Sequence, residues 1–259
     1  MIYLVLFLLT LIVIAVVYYI FFMPKKTVYT KEAFKDIKVT QNAIKHTDLG
    51  LFVALVAKLV NDKDSDSLQT HLIDIMLNDI AAIYPRPHET KQILNAILKE
   101  QQNRDDNISS IAIALNKSTK NDLVKQQQFL EFLAQIIYLD VETMYETEIL
   151  MSISDAFSVP PKIYKEIYKQ YKRTTTLPQE KINIKEVYKL LNVSEHSSLN
   201  SIKESYVKEL KKHHLNIVDK RSNDELFDTT YGEYTFVQST LKLKELAHAY
   251  EMIKKAQRA

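Results

Sequence analysis

Residues 123–139 read LVKQQQFLEFLAQIIYL. Phe129, Phe132, Leu133, Ile136 and Ile137 fall at i, i+3, i+4, i+7 and i+8, the spacing of one apolar helix face. The same spacing recurs on both sides. Leu49, Phe52, Val53, Val56 and Leu59 make one stripe, and Leu72, Ile75, Met76, Leu77 and Ile80 another. Pro85 and Pro87 break the chain, after which Ile93, Ala96 and Ile97, then Ile108, Ile111 and Leu115, continue the pattern. Beyond Leu139 a further stripe runs from Glu146 to Phe157. Pro160 and Pro161 then open a helix, as Pro does at first helical positions, and it carries Ile163, Tyr164, Ile167, Tyr168 and Tyr171. Its Tyr and Lys ladder reads as a packing face with solvated lysines rather than a nucleic-acid stripe.

Composition agrees with an all-α chain. Among 259 residues there are 2 Gly and 6 Pro, so few tight hairpins or phosphate-cradling loops can form. The absence of Cys removes disulfides, thiol catalysis and thiolate metal sites together. With 34 basic and 32 acidic residues the net charge is +2, less basic than a dedicated nucleic-acid binder, so none is expected as a partner.

The N-terminal 24 residues carry no charged side chain, and Leu4 to Phe22 is almost wholly apolar or aromatic. A hydrocarbon core of roughly 30 Å is crossed by about 20 such residues as a helix, so residues 1–24 are predicted to span a bilayer. Lys and Arg are absent before Lys25, which argues against a cleaved signal peptide. Tyr18, Tyr19, Phe21 and Phe22 suit an interfacial belt. Lys25, Lys26 and Lys31 follow at once, which places the N-terminus outside and the rest in the cytoplasm; in a Gram-negative cell the expected location is the inner (cytoplasmic) membrane. The expected organisation is an anchor at 1–24, a juxtamembrane linker at 25–44, a helical domain at 45–172, a linker at 173–183 and a second helical domain at 184–259.

The middle block carries Ala57-Lys58-Leu59-Val60-Asn61-Asp62-Lys63, then Leu68-Gln69 and Leu72-Ile73; later come Leu139-Asp140-Val141 and Glu146, with Leu150 and Phe157 in step. This resembles the TerB-like helical domain, whose two helix-loop-helix units each pair an Asp-Gly turn with a Glu at the next helix start. Asp62 matches the turn Asp and Glu146 the helix-start Glu, but Lys63 stands for Gly and Gln69 for Glu. The acids are therefore expected to cap helices, and no metal or other cofactor is predicted.

The C-terminal block begins Val187-Tyr188-Lys189-Leu190-Leu191-Asn192-Val193 and continues Leu199-Asn200-Ser201-Ile202-Lys203-Glu204-Ser205-Tyr206-Val207-Lys208-Glu209-Leu210-Lys211-Lys212-His213-His214. It closes with Leu243 through Ile253, including Ala249-Tyr250-Glu251. This resembles a J domain: a short helix ending in a Leu-Gly-Val turn, a basic second helix and a third helix ending near Ala-Tyr-Glu. Asn192 replaces the turn Gly and is the next best residue for a left-handed backbone. Tyr206 and Leu210 are expected to face Leu243, Ala247 and Tyr250. The family's His-Pro-Asp, which drives ATP hydrolysis by a DnaK-type chaperone, is here His214-Leu215-Asn216. Leu restores φ freedom, and Asn has no carboxylate for a charge-assisted bond, so a signature without stimulation is implied. Lys203, Lys208, Lys211 and Lys212 form a basic face that in the family docks on the chaperone, or else a solvated helix face. The stretch from Asn216 to Thr240 reads as a long loop. Its Tyr231-Gly232-Glu233-Tyr234-Thr235-Phe236 is either a partner contact or self-packing.

The order of span, TerB-like block and J-like block resembles the DjlA-like family of membrane-anchored DnaJ-type co-chaperones. The resemblance implies a DnaK-type chaperone or another J protein as partner, with this chain a non-stimulating regulator or adaptor. The alternative is an assembly subunit of an inner-membrane complex, using both folds as interaction modules. No catalytic residues are predicted: the seven His are scattered, and no His-Glu-x-x-His, Gly-x-Ser-x-Gly or Walker-type motif occurs.

The topology has a direct check. A reporter fused after Ala259 is expected to be active in a cytoplasmic assay, and periplasmic activity would reverse the assigned orientation.

Overall fold

Short polar side chains start most of the helices. Thr40, Thr47, Ser67, Asp122 and Ser198 each accept a hydrogen bond from the backbone N–H three residues on. Asn183 and Glu186 close a reciprocal capping box. Pro87 and Pro161 stand at first helical positions.

The computed structural model describes residues 10, 12, 29–60, 66–104, 107–120, 122–139, 144–176, 183–219 and 229–258, with backbone alone at 144–146, 173, 175–176 and 229–236. Its regular structure is helical throughout: α1 (Lys31–Phe34), α2 (Gln41–Lys45), α3 (Asp48–Leu59), α4 (Leu68–Ala82), α5 (Pro87–Gln102), α6 (Ile108–Ser118), α7 (Leu123–Tyr138), α8 (Met144–Ala156), α9 (Pro161–Thr176), α10 (Ile184–Leu190), α11 (Leu199–His213) and α12 (Thr229–Arg258). Among the described residues no helix is long and apolar enough to cross a membrane. The expected span at 1–24 lies outside the described residues apart from Thr10 and Ile12.

α3 sits at the centre of the first block and packs on α2, α5, α6 and α7. Its stripe of Leu49, Phe52, Val53 and Val56 is fully buried. Phe52 stacks on Phe129 at 4.4 Å between ring centroids and meets Phe132 edge-on at 5.8 Å. Each such pair adds about 0.5–1.5 kcal/mol beyond its buried area. The segment expected as a juxtamembrane linker contributes to the same core: Tyr29, Phe34, Val39 and Ile44 are buried. The reading of 25–44 as a linker missed this because its apolar residues follow no single helical period, being spread over two short helices and their joins.

In the second block α10 and α11 both pack on α12. α11 and α12 run antiparallel, since Tyr206 stacks on Tyr250 at 4.4 Å while Ser239 donates to the His213 carbonyl. Asn192 has φ 55°, the left-handed turn expected of it. Two expected boundaries shift. α9 runs on to Thr176, four residues into the expected linker, with the Thr174 hydroxyl donating to the Tyr171 carbonyl and Lys244 Nζ to the Thr174 carbonyl. α12 begins at Thr229, so the segment from Tyr231 to Phe236 is helical rather than part of a loop reaching Thr240.

Gly50 lies close against the backbone of α2. A Cβ there would lie 2.0 Å from the Ile44 carbonyl oxygen, backbone that cannot swing aside. Gly50→Ala is therefore expected to destabilise the protein at the upper end of the about 1–3 kcal/mol typical of overpacking. A lowered Tm of the purified variant would register it, and an unchanged Tm would show that α2 can move away.

Candidate functional site

α7 was expected to show one apolar face, but it is buried on every side, with Lys125, Gln128 and Gln135 all enclosed. Those polar residues reach the C-terminal block. Lys125 Nζ donates to Gln128 Oε1 at 2.6 Å, to the Ile217 carbonyl at 3.0 Å and to the Asp219 carbonyl at 3.4 Å. Gln128 Nε2 donates to the Asn216 carbonyl at 2.7 Å. Gln135 Nε2 donates to Thr240 Oγ1 at 3.2 Å and Ser239 Oγ at 3.3 Å. Above Lys125 lies the ring of Tyr29, with Nζ 4.4 Å from its centroid, and the Tyr29 hydroxyl donates to Asp48 Oδ2 at 2.6 Å. Burial first, and then Asp48, push the Tyr29 phenol well above its ordinary pKa. Burial also raises the Asp48 carboxyl.

The segment His214-Leu215-Asn216 lies in this joint. His214 Nε2 is 2.5 Å from Asp79 Oδ2, and only 6% of the His214 side chain is exposed. Its Nδ1 is 2.8 Å from the Lys211 carbonyl. A carbonyl can only accept, so Nδ1 carries the hydrogen of that bond, while Nε2 and Asp79 share the other. Leu215 and Ile217 are buried. Asn216 turns its own side chain back to accept from the Val218 N–H. The tripeptide thus faces the first block.

The expected basic face divides. Lys203 Nζ pairs with Asp66 at 2.7 Å, and Lys212 with Glu209 at 2.6 Å, whereas Lys208 and Lys211 point into solvent. Asp66, just before α4, also receives Lys254 at 2.8 Å and the Tyr250 hydroxyl at 3.3 Å, and lies 3.2 Å from His71 Nε2. Burial pushes its carboxyl up, but the hydrogen bonds from Lys203 and Lys254 outweigh this and hold it far below the usual carboxylate range. Burial lowers His71. Neither Asp66 nor Lys125 belongs to a sequence motif; the only signal is an acid next to a helix start and a lysine in the first turn of a helix whose later turns are apolar.

Beside the joint a cavity of about 430 Å³ is rimmed by Lys212, His213, Gln238 and Lys242. Burial, then Lys242, lower the His213 ring. The expected acidic turns at Asp62-Lys63 and Asp140-Val141 lie outside the described residues. Gln69 donates to the Ile136 carbonyl, a packing role. Among the described residues no three His, Asp or Glu side chains converge to hold a metal ion.

Asp66 gives the joint an acid dependence. A carboxyl lowered in the folded state supplies stability that is complete above its unfolded pKa and lost as pH falls toward the folded one. Thermal stability should therefore drop below about pH 4, and Asp66→Asn should lower it at neutral pH while flattening that acid limb. An equally steep limb in the variant would place the dependence elsewhere.

Neither a protein-family model, nor a curated protein, nor a solved structure matches the chain.

Proposed function

We propose that this protein is a membrane-anchored adaptor in which a J-like helical block, locked onto a TerB-like block, serves as an interaction module and does not stimulate a DnaK-type ATPase. The observation that carries this reading is the inward-facing signature position. His214 is bonded to Asp79, Leu215 is buried, and the Asn216 carbonyl is held by Gln128. A loop that activates a partner must present its side chains outward, and here His214 is spent on the first block, Leu215 is buried and the Asn216 side chain folds back on its own loop. Lys203 is likewise engaged by Asp66, so part of the expected chaperone-docking face is already occupied. Lys208 and Lys211 stay exposed and leave room for a partner that binds without activation. The same geometry favours the alternative of an assembly subunit of an inner-membrane complex, since a fused joint suits a rigid bridging part.

The closed joint changes what restoring the signature should do. The unmodified chain, purified in detergent, is expected to give no stimulation of a DnaK-type ATPase. Leu215→Pro with Asn216→Asp would recover stimulation on an open loop, but is expected to recover none while Asp79 and Gln128 hold the segment. Adding Asp79→Ala and Gln128→Ala should expose it. Stimulation by the unmodified chain would refute the adaptor reading. Absence of stimulation in the folded quadruple variant would favour the assembly subunit.

A further inference from the structure

The lysines of α9 form a surface that the joint does not use. Lys162, Lys165, Lys169 and Lys172 are all exposed, and their spacing of three, four and three residues sets them on an arc of about 80° around the helix. Glu166 is the one acid between Pro161 and Thr176. Among the described residues Lys162, Lys165 and Lys169 have no carboxylate within ion-pair distance, and Lys172 bonds the Tyr168 hydroxyl at 3.1 Å. Tyr164 and Tyr168, half-buried with ring centroids 6.3 Å apart, border the row. The opposite face, with Ile167 and Tyr171, is buried and packs on α7 and α12. With its apolar face packed on the protein, α9 offers lipid only its outer lysine row, and lysines near an anionic leaflet are each attracted to it.

The start of α9 lies at the same end of the block as Tyr29. Tyr29 meets Lys125 and Phe129 in the first half of α7. Asn116 joins the Ala156 carbonyl at the end of α8 to Gln126 in the first turn of α7. Pro161 follows Ala156 by five residues. Tyr29 likewise follows Pro24 by five residues, at most about 18 Å of extended chain. With residues 1–24 in a bilayer, this end of the block is held close to the headgroups. From this placement we infer that the face of α9 carrying Lys162, Lys165, Lys169 and Lys172 binds the anionic surface of the membrane. The inference rests on the anchor and is independent of the adaptor reading.

The chain has no Cys, so one introduced thiol takes one spin label. The full chain would be reconstituted in phosphatidylcholine vesicles with or without phosphatidylglycerol, labelled at Lys165→Cys, Lys208→Cys or Val16→Cys. Anionic lipid should lower collision of the label at 165 with an aqueous relaxant about threefold or more and leave the label at 208 unchanged. The effect should fade in high salt and with Lys162→Gln, Lys169→Gln and Lys172→Gln combined. The label at 16 reports insertion separately, so loss of the anchor and loss of the surface are read apart. Equal accessibility of 165 in both lipids would overturn the inference. So would equal shielding at 208, or shielding of 165 by an added RNA oligonucleotide but not by phosphatidylglycerol.

Discussion

The ammonium group of Lys125 is the constraint on which the arrangement of the molecule depends. It is almost wholly removed from water, and taking such an ion out of solvent costs several kcal/mol unless its donors are matched. Among the described residues, oxygens of Gln128, Ile217 and Asp219 accept from it, while the face of Tyr29 covers the group. One partner is in the same helix, two are some ninety residues downstream and the last is on the segment that leads from the N-terminal apolar run. The charge is satisfied only when all of these are in place. That ties the entry segment, the core helix and the C-terminal block into one unit.

The joint around this group explains why the two blocks cannot be treated as beads on a string. α9 and α4 both pack against α12, and Asp66 gathers Lys203 from α11 and Lys254 from α12 at a single carboxylate. Because these bonds use backbone carbonyls and buried side chains, opening the joint would strand several polar groups at once. Such a cost grows with each group and makes the closed form one cooperative state. It also makes the segment at residues 214–219 an internal contact. Among the described residues, the Lys208 and Lys211 edge and the α9 row stay outward, both lysine-based.

Much of the fold was legible because it is local. Stripes at 3.6-residue spacing, Ser, Thr and Asn caps, and Pro at first positions follow from backbone geometry within one turn. The helix start at Pro161 and the left-handed Asn192 are as the sequence predicts, whereas Pro87, expected only to break the chain, opens a helix. The site was legible in part. The tripeptide at 214–216 could be found and its missing carboxylate noted, since that is a matter of residue identity. Its direction could not be read, because Asp79 and Gln128 lie far away in the chain and neither belongs to a motif.

By itself the sequence determined the all-helical class and the position of the apolar N-terminal run, each a property of neighbouring residues. Only the tertiary structure decided that Tyr29, Phe34 and Val39 join the core, that Lys125 and Asp66 are hubs, and that Lys203 is engaged rather than free. The reason is physical. A charged side chain inside an apolar stretch reads as a solvated position until the far segment that supplies its acceptors is folded against it, and that pairing is set by three-dimensional packing and leaves no period in the chain.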